Sequence, residues 1–315
     1  MRFALDTWEP DYGSATEQGA VSPSEVVTKI DHEVDDEQWR PIAPKPEPAP
    51  LVFFVDGVRR IEARIWVTED DGAMTLGIAA SYAAGVVRCD GKAEVVVADV
   101  ERRFLTAAPS GRSIETRHGT YGLVVVAGDD PDALSLALQQ QMGRLEIESA
   151  RLAAAGAEGA LVVVDGPLRQ NGHLPGTVGS IKSQHRSYGP PVVQATIAKL
   201  GAGERTPVFI VGDRFPRWSW YVRLPGPVPH PLAAVVRCEA ASDLSTPEAV
   251  ALADRVTATL PRYASAAHKD ARAPQNLYPI AGLERTLRHR LGDQHLLTRA
   301  LRVAAATTDS SISRE

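Results

Sequence analysis

The sequence predicts an α/β fold, a mixed sheet flanked by helices with additional antiparallel strands. Three observations lead there. Strand-like segments follow one another from residue 51 to 105, split by short turn signals. The apolar period then changes to a helical one across 131–156. Directly afterwards ALVVVD (160–165) is apolar up to its last residue, as a strand buried on both faces requires. Antiparallel strands, a helix and then a buried strand make a sheet covered by helices.

Taken in order, LVFFVD (51–56), RIEARIWVTE (60–69), MTLGIAASYAAGVVRC (74–89) and AEVVVADVERRFL (93–105) are strands separated by VR, DDG and DGK turn signals. TYGLVVVAG (120–128) is a further strand. In the segment 131–156, Leu138, Met142, Leu145 and Leu152 recur at helical spacing, and Gly156 marks the stop. TPVFIVG (206–212), WSWYVRL (218–224) and LAAVVRCEA (232–240) are later strands. Helices are expected over 246–260 and 279–304, with Thr246-Pro247 as cap and first turn. No internal repeat is visible.

Ahead of this body, RPIAPKPEPAP (40–50) holds five prolines in eleven residues, an extended, donor-poor linker or surface strap. The run DHEVDDEQW before it reads as a solvated charged face. The expected organisation is therefore an acidic, proline-rich extension over 1–50, a globular body over 51–305 and a flexible tail over 306–315.

Formal charge is −5, which alone argues against a nucleic-acid binder. The distribution of charge along the chain weakens that objection. Residues 1–50 carry 11 acidic and 4 basic side chains, a net of −7, whereas the rest carry 28 and 30, a net of +2. The body is permissive for a polyanion. At 315 residues and 44% apolar content it has ample material for a core. Cys89 and Cys238, far apart beside strands, are expected as buried thiols of a reducing cytoplasm. Neither a signal-peptide pattern nor an apolar window of about 18–20 residues occurs, so a cytoplasmic protein with no membrane span is expected.

Two aspartates raise the chemical question. Asp56 and Asp165 each end an apolar run, VFFV and LVVV, and each precedes a glycine. Asp-Gly is a common turn pair, yet carboxylates emerging from sheet interior suggest more. The helix before Asp165 adds Glu146 and Glu148, so two strands and a helix can bring three carboxylates to one point. Clustered carboxylates repel unless a cation neutralises them, and hard oxygen donors suit Mg²⁺ or Mn²⁺ better than zinc. Such ions activate water and stabilise the leaving oxygen of a phosphodiester. Paired acids also serve glycoside hydrolysis. Lys182, His185 and Arg186, clustered after the second aspartate, suit phosphate oxygens better than sugar hydroxyls, though the same residues also describe an ordinary basic loop. GTVGSIKS is no phosphate loop, because Ile181 stands where glycine must precede the lysine.

Together these segments resemble the NurA family of nucleases. VDGVRR, the LEIE helix, VVVDGPL and SIKSQHRSY come in that family's order, and RTPVFIVG, RWSWYVRL, VVRCEA and DARAPQNLYPIAGLERTLRHRLGD resemble its bacterial branch across roughly residues 50–304. The resemblance implies an RNase H-like (Piwi-like) core, a Mn²⁺- or Mg²⁺-dependent DNA nuclease, a homodimer and a HerA-type hexameric DNA-translocating ATPase as partner, in DNA end processing or anti-phage defence. It assigns Asp56, Glu148 and Asp165 to metal and catalysis, with Glu146 a neighbouring candidate, and Lys182 to the scissile phosphate. The family's C-terminal Tyr-Pro is present as Tyr278-Pro279, but the histidine that follows it in many members is replaced by Thr286; His289, about one turn on, is the candidate substitute, and Asn276 or Gln275 could give an oxygen. Arg237 and Glu239 could position nucleic acid or the partner, or form a cross-strand salt bridge. Trp218 and Trp220 share one face and Tyr221 takes the other, for base stacking or for packing. The altered C-terminal site motivates a rival, a catalytically silent NurA-like subunit that binds DNA or regulates the ATPase. A carboxylate hydrolase of another substrate is the second rival.

Overall fold

In the computed structural model, residues 2–5, 22–23, 28–168, 173–182, 186–212, 215–228, 231–270 and 272–312 are described. The N-terminal part contributes strands β1 (Arg2–Leu5), β2 (Ser22–Pro23) and β3 (Thr28–Lys29). A meander follows: β4 (Val52–Thr68), β5 (Met74–Cys89) and β6 (Ala93–Thr106), then the hairpin β7 (Ile114–Thr116) and β8 (Gly119–Val125). Helix α1 (Pro131–Ala153) leads to β9 (Leu161–Asp165), β10 (Thr177–Ile181), β11 (Arg186–Ser187) and α2 (Pro191–Lys199). Strands β12 (Phe209–Val211), β13 (Arg217–Arg223) and β14 (Val235–Ala241) precede helices α3 (Thr246–Thr259), α4 (Tyr278–Arg290) and α5 (Gln294–Ile312).

One mixed sheet takes every strand but β2 and β11, in the order β3-β12-β13-β14-β10-β9-β4-β5-β6-β8-β7 with β1 paired to the far end of β4, while β2 and β11 pair with each other. Alternation along the strands assigns each face. Phe54 and Val58 of β4, Val163 of β9 and Val178 of β10 pack with Leu283 and Leu287 of α4 and Val256 of α3. Their neighbours Phe53, Val55, Val162 and Val164 meet Ala150 of α1 on the other face. Helix α5 covers Ile65 and Val67 through Leu301. A bulge between Ile61 and Ala63 changes the phase of β4, so its far half still turns apolar residues toward this helix. The result is an α/β/α sandwich, in keeping with the expected class.

Several expectations need correction. The two strands expected over 51–56 and 60–69 are one, Val52–Thr68, because β5 pairs along its whole length and no turn interrupts it after Asp56. The stretch 172–191, expected as a loop, supplies β10, and α2 follows it. Low apolar content hid β10: Gly179 passes so close to the preceding turn that a Cβ there would lie 2.6 Å from the Gly166 carbonyl. The single helix expected over 279–304 is two, broken where Gly292 takes a left-handed φ of 85°. Residues 306–312, expected as tail, continue α5. Leu152 of α1 is 67% exposed rather than core.

The acidic extension is not a separate linker from Thr28 onward. Ile30, Trp39 and Ala49 are buried, and Ile42 bridges to Arg205. Glu33, assigned above to a solvated run, receives both Arg205 Nη1 and Arg205 Nη2 at 2.8 Å, while Arg205 Nε donates to Asp254 at 2.6 Å. Arg205 is itself 1% exposed. Stripping one partner from a buried ion pair costs roughly 3–5 kcal/mol. With Asp254 left in place, Glu33→Ala is expected to destabilise the protein by about 3 kcal/mol, read as a lowered urea midpoint at unchanged m-value; a midpoint within error of wild type overturns the clamp.

Candidate functional site

Parallel pairing of β4 with β9 sets Val55 opposite Val164 as its last rung. One step beyond come Asp56 and Asp165, on the same face of neighbouring strands. From that point β4 has no partner strand on this side, among the described residues, until Ile65 meets Leu5 of β1. The sheet therefore opens beside the two carboxylates. Asp56 is 6% exposed, and its Oδ1 accepts from the Gly57 amide at 2.8 Å. Asp165 Oδ2 faces Lys182 Nζ at 2.7 Å. The other oxygen, Asp165 Oδ1, is shut from solvent without any hydrogen-bond partner.

Lys182 follows β10 by one residue and lies on the aspartates' side of the sheet, since Ser180 pairs with Asp165. Its ammonium also donates to Asn276 Oδ1 at 2.7 Å, and Asn276 Nδ2 donates to Asp270 Oδ2 at 2.6 Å. The amide is thus oriented by a cation on one side and a carboxylate on the other. Arg272 ties Asp270 to Glu284 of α4, at 3.5 and 2.7 Å. Asn276, considered above as an oxygen donor to metal, here directs its oxygen to Lys182. Asp270 and Glu284 carried no signal in the sequence beyond lying in the polar stretch before and within α4.

Of the two helical glutamates it is Glu146, not Glu148, that approaches the sheet. It comes from the α1 face, opposite the side chains of Asp56 and Asp165, and near enough to act on Asp56 electrostatically. Two residues along a helix turn about 200°, so one glutamate faces the sheet and the other solvent. Glu148 is exposed. Glu146 reaches β4 just past Asp56, where a side chain at Gly57 would place its Cβ 2.5 Å from Glu146 Oε1. That contact explains the first Asp-Gly pair: Gly57 sits inside a continuous strand, where its missing side chain makes room for the acid.

Burial pushes the Asp56 carboxyl well above the usual carboxylate range, with Asp165 and Glu146 adding repulsion against the pull of Lys182 and the Gly57 amide. Asp165 is also raised, by burial first, although Lys182 opposes the shift; Glu284 raises it further and Arg272 counters. Burial, more than the balance of neighbouring charges, sets both shifts. Among the described residues, no three His, Cys, Asp or Glu side chains already form a metal cage. By chemical type the oxygen donors here, buried Asp56, half-buried Asp165 with its unpartnered Oδ1, and Glu146 on the α1 side of the opening, are those a hard divalent cation prefers.

Other expected residues lie elsewhere. Arg237 and Glu239 stand two apart on β14, on one face of that strand, and pair with each other rather than across strands. Both are buried, with Arg237 stacked 4.5 Å over the Tyr188 ring, so Arg237 presents no free cation to nucleic acid. Its face is the one opposite Lys182. Tyr278 opens α4 and is 38% exposed; its hydroxyl accepts from the Ala266 amide, with Lys269 Nζ 5.3 Å from its ring centre. It joins neither aspartate. His289 is exposed near the end of α4, and the α4 group acting on Asp165 is Glu284. His185 lies outside the described residues, as does the side chain of Arg186. Trp218 and Trp220 are core on the α3 side and Tyr221 on the α2 side, which leaves none for stacking on bases. Cys89 and Cys238 are buried free thiols.

Because the folded protein holds a proton on Asp56 more tightly than the unfolded chain does, stability present below the ordinary aspartate value of 3.8 is lost as pH rises through the raised value. In metal-free protein, Asp56→Asn is expected to be more stable than wild type at neutral pH and indistinguishable near pH 3. Denaturant titrations across pH check this, and equal stability at pH 7 overturns it.

The chain matches no protein-family model and no curated protein.

Proposed function

We propose that this protein is a divalent-metal-dependent DNA nuclease, RNase H-like in its core and NurA-like in kind, working with a HerA-type hexameric ATPase. One observation carries the reading: Asp56 and Asp165 lie side by side where the parallel pairing of β4 with β9 ends, with Lys182 against Asp165. The sheet order β6-β5-β4-β9-β10, an antiparallel meander extended by two strands parallel to its first, supports the finer fold assignment. The ordered motifs support the family, and with it the ATPase partner, the homodimer and a role in DNA end processing or anti-phage defence.

Asp56 and Asp165 would hold Mn²⁺ or Mg²⁺, with Glu146 approaching the same sheet opening from the α1 side; the ion when bound supplies an activated water and stabilises the departing oxygen. The chain's own groups do the positioning. Lys182 Nζ, fixed by Asn276, offers a positive charge to a phosphodiester oxygen lying beside Asp165. Burial of Asp56 and partial burial of Asp165 and Lys182 reduce the screening of that charge by bulk water. Asp270 and Arg272 brace Asn276 and α4, so the ammonium stays in place as substrate arrives.

A second reading has its own observation. Lys182 already neutralises Asp165, and no histidine of α4 joins the site among the described residues, as in a catalytically silent subunit that binds DNA or regulates the ATPase.

Labelled linear single- and double-stranded DNA, given to the purified protein with Mn²⁺, Mg²⁺ or EDTA, with and without the ATPase, separates the two. The nuclease reading expects metal-dependent cleavage that falls to background in Asp56→Asn. Lys182→Ala should lose about 10²–10³-fold, Glu146→Ala should lose most activity, and Glu148→Ala should stay within about twofold, an exposed change being close to neutral. DNA binding without cleavage under every condition establishes the silent subunit instead.

A further inference from the structure

Between the outermost strand of the sheet, β7, and helix α5 lies a groove of about 620 Å³ that shares no residue with the aspartate site. Consecutive residues, 112–117, line one wall. Side chains of a strand alternate between its faces, so a wall of both parities is the edge of β7 rather than one of its faces. That edge is open: β7 ends the sheet order and pairs only with β8 among the described residues. Thr116 and Gly119 are partners across a two-residue turn, which makes them a hydrogen-bonded pair. Alternation then directs the amide and carbonyl of Glu115 away from β8, toward the groove.

The other wall is one face of α5, where Arg299, Ala300, Val303, Ala304 and Thr307 follow at helical steps. Val303 is 60% exposed there. Arg112, Arg117 and Arg299, all exposed, surround the opening. The acid in the lining, Glu115, turns its side chain to the sheet face opposite Ile114, which packs on Leu301, and accepts there from Thr120 Oγ1. Its carboxylate therefore does not offset the three guanidiniums inside the groove.

We propose that this groove docks an extended acidic segment of a partner protein, added to β7 as a further strand. Three properties select that occupant. The open edge presents a donor and an acceptor together at Glu115; a peptide backbone answers both, whereas a phosphodiester backbone has no N–H to give the carbonyl. The wall of Ala300, Val303 and Ala304 suits the alternate apolar side chains of a strand and offers nothing to phosphates. The guanidiniums select carboxylates on the same segment. The volume lies within the range of about 300–1,000 Å³ for small-ligand sites, room for a few extended residues and too little for a folded domain. This inference is independent of the nuclease reading.

The probe is a phage-displayed library of random heptapeptides, selected on the full chain and counter-selected on Val303→Glu. Enriched sequences are expected to place apolar residues at alternate positions and acids between them. A fluorescein-labelled synthetic copy, read by anisotropy, should bind Arg299→Glu and Val303→Glu about 10-fold more weakly than wild type, and lose about as much when its alternate backbone amides are N-methylated. Arg302→Glu, the same charge change on an exposed α5 residue outside the groove, should stay within about threefold. All three positions are exposed, so thermal midpoints should hold within about 2 °C, which separates lost docking from lost folding. Binding that survives N-methylation or Arg299→Glu overturns the proposal, as does a library that enriches nothing over the counter-selection. Without enriched peptides, a labelled oligothymidylate that binds wild type and not Arg299→Glu makes the groove a nucleic-acid surface instead. A dimer that Val303→Glu dissociates in sedimentation, again without enriched peptides, makes it a contact between copies.

Discussion

The parallel register of β4 against β9 is the constraint from which the site follows. Side chains alternate with a period of two, so a slip of one residue would send Asp56 and Asp165 to opposite faces. What prevents the slip is apolar: Phe53, Phe54 and Val55 on one strand and Val162, Val163 and Val164 on the other are buried on both faces. The same burial withdraws water from the aspartates, which raises both carboxyls and gives Lys182 a role that a solvated lysine would lack. Core packing and site electrostatics thus share a cause. Neither can be adjusted alone.

Much of this was legible before the fold was known, and for physical reasons. Strands β5, β6 and β9 and helix α1 announce themselves through long apolar runs or steady periodicity, and the aspartates stand out because they end such runs. What stayed hidden depended on contacts distant in the chain. β10 is short, rich in small residues and made a strand by its neighbours β9 and β14. Choosing between Glu146 and Glu148 by distance from Asp165 misleads, because only the rotation of α1 about its axis decides which one reaches the sheet. Asn276 and Asp270 belong to the site through a network that closes over more than ninety residues of chain.

Charge counting was similarly incomplete. An excess of acid in the first fifty residues suggests a solvated appendage, yet Glu33 sits against Arg205 and its carboxylate also receives the Val208 amide at 2.7 Å. Part of the apparent surface charge is therefore structural mortar. The basic excess of the body is likewise smaller than it looks, since Arg205, Arg223 and Arg237 are buried and occupied. Arg223 spends its guanidinium on the carbonyls of Leu200, Ala233, Ile197 and Pro231.

The two Asp-Gly pairs, identical as letters, restrict the chain in different ways. Gly57 is extended and crowded by Glu146, whereas Gly166 has a φ of 98° with nothing within 4 Å of its absent side chain. The first position therefore discriminates by size and the second by handedness. Ordinary alanine is therefore refused after Asp56 by the acid it would strike, and after Asp165 by the backbone it would have to adopt.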